Sequence, residues 1–172
     1  MEAQNSIQNT NEFCSFTAWQ IKSNLAETYF FGNMNIWNLD NKAWPRLNLF
    51  RSANGTFRVI QAGDYAPVLT TGIHILIHQK YAGVFEELHG QVTLKRAMIY
   101  DQALDTENHE YFELDVINAI SHDTINLHDG GGKKIWHDRD YIFISSALKD
   151  ELITVDIEGA LSFTQGYSHF GG

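Results

Sequence analysis

The sequence predicts a single α+β domain over residues 13–172, built on a mainly antiparallel sheet with few helices. Three observations carry this expectation. Aromatic side chains, which favour strands, are abundant: 11 Phe, 7 Tyr and 4 Trp among 172 residues. Short β-branched apolar runs recur, the clearest being Ile73-His74-Ile75-Leu76-Ile77 and Tyr141-Ile142-Phe143-Ile144. Each run is followed by a segment that reads as helical. The length suits one domain with its own core. With 44% hydrophobic and 19% charged residues, the composition is that of a folded chain.

Taken in order, residues 1–12 are polar, rich in Asn and Gln, and read as a flexible terminus. Residues 16–25 are only weakly periodic. Phe30-Phe31-Gly32-Asn33-Met34-Asn35-Ile36-Trp37 suggests a strand or an aromatic-rich loop, and residues 38–46 carry turn residues and Pro45. Asn54-Gly55, between residues 47–50 and 56–60, marks a hairpin. Tyr65-Ala66-Pro67 reads as a connector. The run at residues 73–77 is a buried strand. Tyr81, Val84, Phe85 and Leu88 then share one helical face, so residues 79–88 read as a helix that His89-Gly90 stops. Strands follow at residues 92–99 and 111–116. After the buried strand at residues 141–144, Ser145 or Ser146 is the N-cap of a short helix over residues 147–152. Gly159-Ala160-Leu161-Ser162-Phe163-Thr164 closes the fold as a strand. A strand–helix–strand unit thus occurs twice, with a loose correspondence between the copies.

Charge is concentrated in one block. Residues 97–132 hold no Lys or Arg and eight acidic residues: Asp101, Asp105, Glu107, Glu110, Glu113, Asp115, Asp123 and Asp129. The net charge of −9 comes from 21 acidic and 12 basic residues, so outside the block 13 acidic residues face 12 basic ones. Such a field repels nucleic acid and anionic membrane and attracts basic proteins. A solvated loop or sheet face is the plain reading of a charge run, and a docking surface for a basic partner is the sharper one. The candidate contact residues are Asp101, Asp105, Glu107, Glu110, Glu113 and Asp115.

The remaining motifs carry little chemistry. His122-Asp123, His128-Asp129 and His137-Asp138 offer metal-ligand residue types, but spacings of six and nine match no metal pattern. They read as turn residues, and no metal or other cofactor is expected. His74 and His78 would share a strand face about 13 Å apart, too far for one metal. In Gly130-Gly131-Gly132-Lys133-Lys134, Lys134 stands where a phosphate loop needs Ser or Thr, so a loop is expected. No nucleophile elbow is present. The four Trp (Trp19, Trp37, Trp44 and Trp136) read as core packing or as interface aromatics. Cys14 excludes an internal disulfide framework and reads as a packed or idle thiol. With no leader pattern and no apolar run near the roughly 20 residues a membrane span needs, a cytoplasmic location is expected.

Residues 141–152, followed by Gly159-Ala160-Leu161-Ser162-Phe163, resemble the C-terminal signature of the immunity proteins of bacterial polymorphic toxin systems. That signature is an apolar strand, a Ser, a short helix and a Gly-led strand ending in Phe. Ile75-Leu76-Ile77-His78 with residues 81–88 resembles its partner motif, with His78 where the family usually has Ser. Residues 111–120 are similar to the central segment, and the resemblance covers about residues 72–165. It implies an α+β fold, no catalysis and a cognate toxin domain as partner, and it supplies no catalytic residues. The functional expectation is therefore an immunity protein that is not an enzyme, acting partly through its acidic surface. The alternatives are a small metal-dependent hydrolase using the His-Asp residues and a non-catalytic scaffold or ligand-binding module.

Overall fold

The computed structural model describes residues 36–42, 46–121, 124–125, 131–139 and 141–166. All lie within one compact unit, Asn33–Gly172. The expectations for residues 1–35, including Cys14 and Trp19, fall outside the described residues, as does Trp44.

Among the described residues, ten strands and two helices follow one another. The strands are β1 (Ile36–Asn41), β2 (Asn48–Arg51), β3 (Phe57–Gln61), β4 (Val68–Thr70) and β5 (Ile75–His78). Helix α1 (Gln79–Glu86), β6 (Val92–Asp101), β7 (Thr106–Val116), β8 (Ile135–Asp138) and β9 (Tyr141–Ser145) come next. Helix α2 (Ser146–Val155) and β10 (Leu161–Gln165) complete the order. They form a four-stranded sheet, β10-β1-β9-β8, and a six-stranded sheet, β2-β3-β6-β7-β5-β4. Every strand pair is antiparallel except β3 with β6. The α+β class with a mainly antiparallel arrangement is therefore present.

The repeated unit is real at the level of topology. In β5–α1–β6 the two strands flank β7, which runs antiparallel to both. In β9–α2–β10 they flank β1, again antiparallel to both. Each helix thus joins two parallel strands across a gap filled by a third. The filler comes from downstream in the first unit and from upstream in the second. Both helices begin at once where the strand stops, because the last strand residue caps them. His78 Nδ1 accepts from the Lys80 N–H at 3.2 Å, and Ser145 Oγ accepts from the Leu148 N–H at 3.3 Å. Ser145 is thus the cap, while Ser146 Oγ accepts from Trp37 Nε1 at 3.0 Å.

Some boundaries differ from expectation. Ile73 is 81% exposed and belongs to the turn after Gly72, whose φ is +83°, so the strand starts at Ile75. Helix α1 ends at Glu86, yet Leu88 is buried, because a turn carries it back onto the core. Strands β4 and β8 were not expected. β4 has only three residues directly after Pro67, and β8 follows a glycine run.

The main core lies between the sheets and the helices. Leu39, Ile142 and Ile144 of the four-stranded sheet share it with Ile75, Ile77 and Leu114 of the six-stranded sheet. Tyr81, Phe85, Leu148 and Leu152 bring the buried helix faces. Burial of such side chains stabilises by about 1.5–3 kcal/mol each. The six-stranded sheet also curls so that its edge strands β2 and β4 lie against each other. Leu47 N–H donates to Asp64 O at 3.2 Å there, and a Cβ on Gly63 would stand 2.5 Å from the Arg46 carbonyl. Phe57, Leu69, Leu76, Ile99 and Tyr111 fill this curl as a second cluster. Trp136 is buried in a third with Ile36, Ile125 and Phe143.

Two polar joints tie the units together. The Asn41 side chain acts like a strand residue: its Nδ2 donates to Val68 O at 2.5 Å and its Oδ1 accepts from Val68 N–H at 2.8 Å. The Tyr81 hydroxyl donates to Asp156 Oδ1 at 2.7 Å. Asp156 is buried and accepts from the Ala160 and Leu161 N–H groups at 3.0 and 2.9 Å. Burial pushes this carboxyl up, but the Leu161 N–H, the Tyr81 hydroxyl, the Ala160 N–H and the Lys80 charge outweigh it, leaving it below the usual carboxylate range. Burial, followed by the Asp156 bond, raises the Tyr81 phenol.

Asp156→Asn should therefore cost about 2–3 kcal/mol and Tyr81→Phe about 1–2 kcal/mol by urea denaturation at neutral pH. Because the folded carboxyl titrates lower than the unfolded one, its contribution is complete above the ordinary value of 3.8 and fades as pH falls through the folded value. Acid loss of stability in this window should be shallower in Asp156→Asn than in the wild type.

Candidate protein-binding surface

Strands β6 and β7 form the longest hairpin among the described residues, with 10 and 11 residues. Its turn is built by the sequence 101–105. Asp101 is only 6% exposed, and its Oδ1 accepts from the Ala103 and Leu104 N–H groups at 2.9 and 3.3 Å. Asp105 takes the left-handed conformation, φ +51°, which closes the turn. The Tyr100 hydroxyl donates to Asp105 Oδ1 at 2.9 Å, and this bond with the Asp105 charge raises the phenol.

The six candidate acidic residues do not converge. From Asp105 to Asp115 the strand climbs about 33 Å, so they form a line along β7. Asp101 serves the turn. Glu113 is 17% exposed in its side chain and is held from two sides, with Arg51 Nη2 at 3.3 Å and His74 Nδ1 at 2.8 Å. Asp115 is exposed, opposite Thr93 at the far end. Glu107 and Glu110 are 56% and 58% exposed, and their only ion-pair neighbours among the described residues are histidines, His109 at 3.1 Å and His78 at 3.6 Å. Residues 97–132 are free of Lys and Arg in sequence, but the sheet changes that balance. Lys95 lies opposite Glu113, and Arg58 lies beside Tyr100, the cross-strand partner of Glu107. Near the turn, Asp105, Glu107 and Glu110 are exposed and have no Lys or Arg ion pair among the described residues, although Arg96 Nη1 donates to the His109 carbonyl between the two glutamates at 3.4 Å.

This stretch coincides with an open strand edge. β7 pairs with β6 along its length but with β5 only over residues 111–114, because β5 turns into α1 at Gln79. Residues 106–110 therefore have no strand on that side among the described residues. A cleft of about 360 Å³ follows the edge, lined by Tyr65, Thr106, Glu107, Asn108, His109 and Glu110. Asn108 Oδ1 accepts from the Glu110 N–H at 2.8 Å. Tyr65 is exposed at the rim, and its phenol is raised by burial and then by the Asp101 charge. Sequence reasoning missed Tyr65, Asn108 and His109. The approach of the 64–67 segment to β7 is a long-range contact with no local signal.

His74 and His78 also fall into place without a shared ligand. Each meets a different β7 glutamate, Glu113 and Glu110 respectively. Of the His-Asp pairs only His137-Asp138 lies in described residues, within β8. Among the described residues no three His, Cys, Asp or Glu side chains converge as metal ligands. Lys134 is paired with Glu151 at 2.9 Å rather than offered to a phosphate. A second cleft of about 440 Å³ lies between α2 and β10, with Lys42 and Lys149 on its walls. Lys149 Nζ sits 3.3 Å from the centre of the Trp37 ring.

Comparison with protein-family models, curated proteins and solved structures gave no match to this chain. Among the described residues no helix is long and apolar enough to cross a membrane.

The acidic residues should separate cleanly in stability measurements. Asp101→Ala removes the acceptor for two turn N–H groups and should cost about 1–2 kcal/mol by urea denaturation. Glu107→Gln, at an exposed position, should stay within about 0.5 kcal/mol of wild type.

Proposed function

We propose that this chain is an immunity protein, a non-catalytic inhibitor that binds a cognate toxin domain and neutralises it. One observation carries the reading: exposed acid at Asp105, Glu107 and Glu110, without a Lys or Arg ion pair among the described residues, set on a long hairpin beside a cleft. Acid placed on a strand pair holds its geometry, so it can steer a basic protein and then meet it in a fixed register. The resemblance of residues 72–165 to the immunity family supports the same reading. So does the match in local design, since His78 caps α1 as a Ser would. Many toxins that act on nucleic acid carry basic substrate clefts, and an acidic inhibitor is complementary to them.

The test is protection of cells from a candidate toxin domain taken from the genes neighbouring this one, together with stopped-flow association of the pure proteins. Replacing Asp105, Glu107 and Glu110 with Asn, Gln and Gln should slow association by roughly tenfold at low salt. The difference should shrink at 1 M salt, where the Debye length falls from about 10 Å to about 3 Å. Dissociation should change less, because rim charges act mainly on the approach. Equal rates and equal salt slopes for both proteins would remove this stretch from the binding account. Failure to protect cells would remove the immunity reading for that toxin.

A further inference from the structure

Resting on the reading above, we infer that the open edge of β7 at residues 106–110 receives an extended basic segment of the partner, which adds a strand to the six-stranded sheet. The edge is about 17 Å long, enough for a five-residue strand. Among the described residues, 106–110 pair with no strand other than β6. Added strands take affinity from the backbone and specificity from alternate side chains.

Charge selects the occupant. The six cleft-lining residues include Glu107 and Glu110 and no Lys or Arg, and Asp105 stands at the turn. An open edge invites pairing with any other strand, including a second copy of itself. A second copy would set glutamates against glutamates, which is unfavourable across a ladder. The register shift, three residues from Asn108 to Tyr111 against two from Ala97 to Ile99, places a bulge within β7 here, which hinders flat pairing of two identical edges. A strand carrying Lys or Arg at alternate positions meets neither obstacle of charge. Two side-chain bonds engage the backbone of this stretch, Asn108 Oδ1 with the Glu110 N–H and Arg96 Nη1 with the His109 carbonyl at 3.4 Å; both are exposed, so an incoming strand can replace them.

The probe is a fluorescent Lys-Val-Lys-Val-Lys-Val-Lys peptide, followed by anisotropy at low salt. Two controls accompany it: the same peptide with Glu for Lys, and a version with every second backbone nitrogen methylated. The Lys peptide should bind and protect the amides of residues 106–110 from hydrogen exchange. The Glu peptide should not bind, and the methylated peptide should bind at least tenfold more weakly. Glu107→Lys with Glu110→Lys should weaken the Lys peptide by tenfold or more while the unliganded protein keeps its wild-type exchange pattern elsewhere. No binding of the Lys peptide, equal binding of its methylated form, or no protection at residues 106–110 would overturn the inference. The same exchange experiment on the toxin complex separates the two readings. A protective complex without protection at 106–110 sinks strand addition and keeps the immunity function. Peptide binding at the edge with no cellular protection does the reverse.

Discussion

The carboxylate of Asp156 is the joint on which the two halves of the described fold depend. It sits just beyond α2, at the start of the turn into β10, and fixes that turn through two backbone N–H groups. Its remaining bond reaches the Tyr81 hydroxyl on α1, in the other strand–helix–strand unit. A buried carboxylate is costly when isolated, because it gives up its hydration. Here three donors replace the water and the Lys80 charge adds to them. The two helices can therefore share one core, with Tyr81, Phe85, Leu148 and Leu152 facing the same cluster. Asn41 makes a second joint of the same kind, offering an amide where a neighbouring strand would offer a peptide group.

Much of the fold was legible because its strongest signals are local. The apolar run at residues 75–77 and the one at residues 141–144 became buried strands, and both led straight into helices. The hairpin at Asn54-Gly55 formed, with Gly55 at φ +88°, but through a loop over residues 52–56 rather than the two-residue turn the dipeptide favours. What stayed hidden was long range. Nothing near Val68 in sequence announces that Asn41 will pair with its backbone. Nothing near Trp37 states that β1 will lie between β9 and β10. The repeat was visible as an order of elements, but the filler strands were not, since they come from opposite directions along the chain.

The acidic block shows the same limit in electrostatic form. A count along the sequence treats Asp101 through Asp115 as one group. Folding sorts them by use. Asp101 ties a turn, Glu113 joins Arg51 and His74, and Asp115 lies exposed at the far end of a long strand. Only the middle of the run keeps its charge facing solvent beside a cleft. The sorting depends on where β5 stops, and β5 stops where His78 begins to cap α1. A helix cap thus decides how far β7 remains uncovered.

The permuted origin of the filler strands sets an order of assembly during synthesis. In the first unit β7 follows β6 through a tight turn, so its ladder closes as soon as the hairpin is made. In the second, β1 is translated long before its partners; the Trp37 indole waits for Ser146, 109 positions later. Until then β1 offers Ile36 and Leu39 with unpaired backbone on both sides. Long-range pairing of this kind is slow and leaves such surface open to wrong partners. The six-stranded sheet, whose members are close in sequence, can be in place first and give the late strand a surface to dock on. An arrest of translation between β7 and β9 should therefore leave a chain with one finished sheet and a lone, sticky strand.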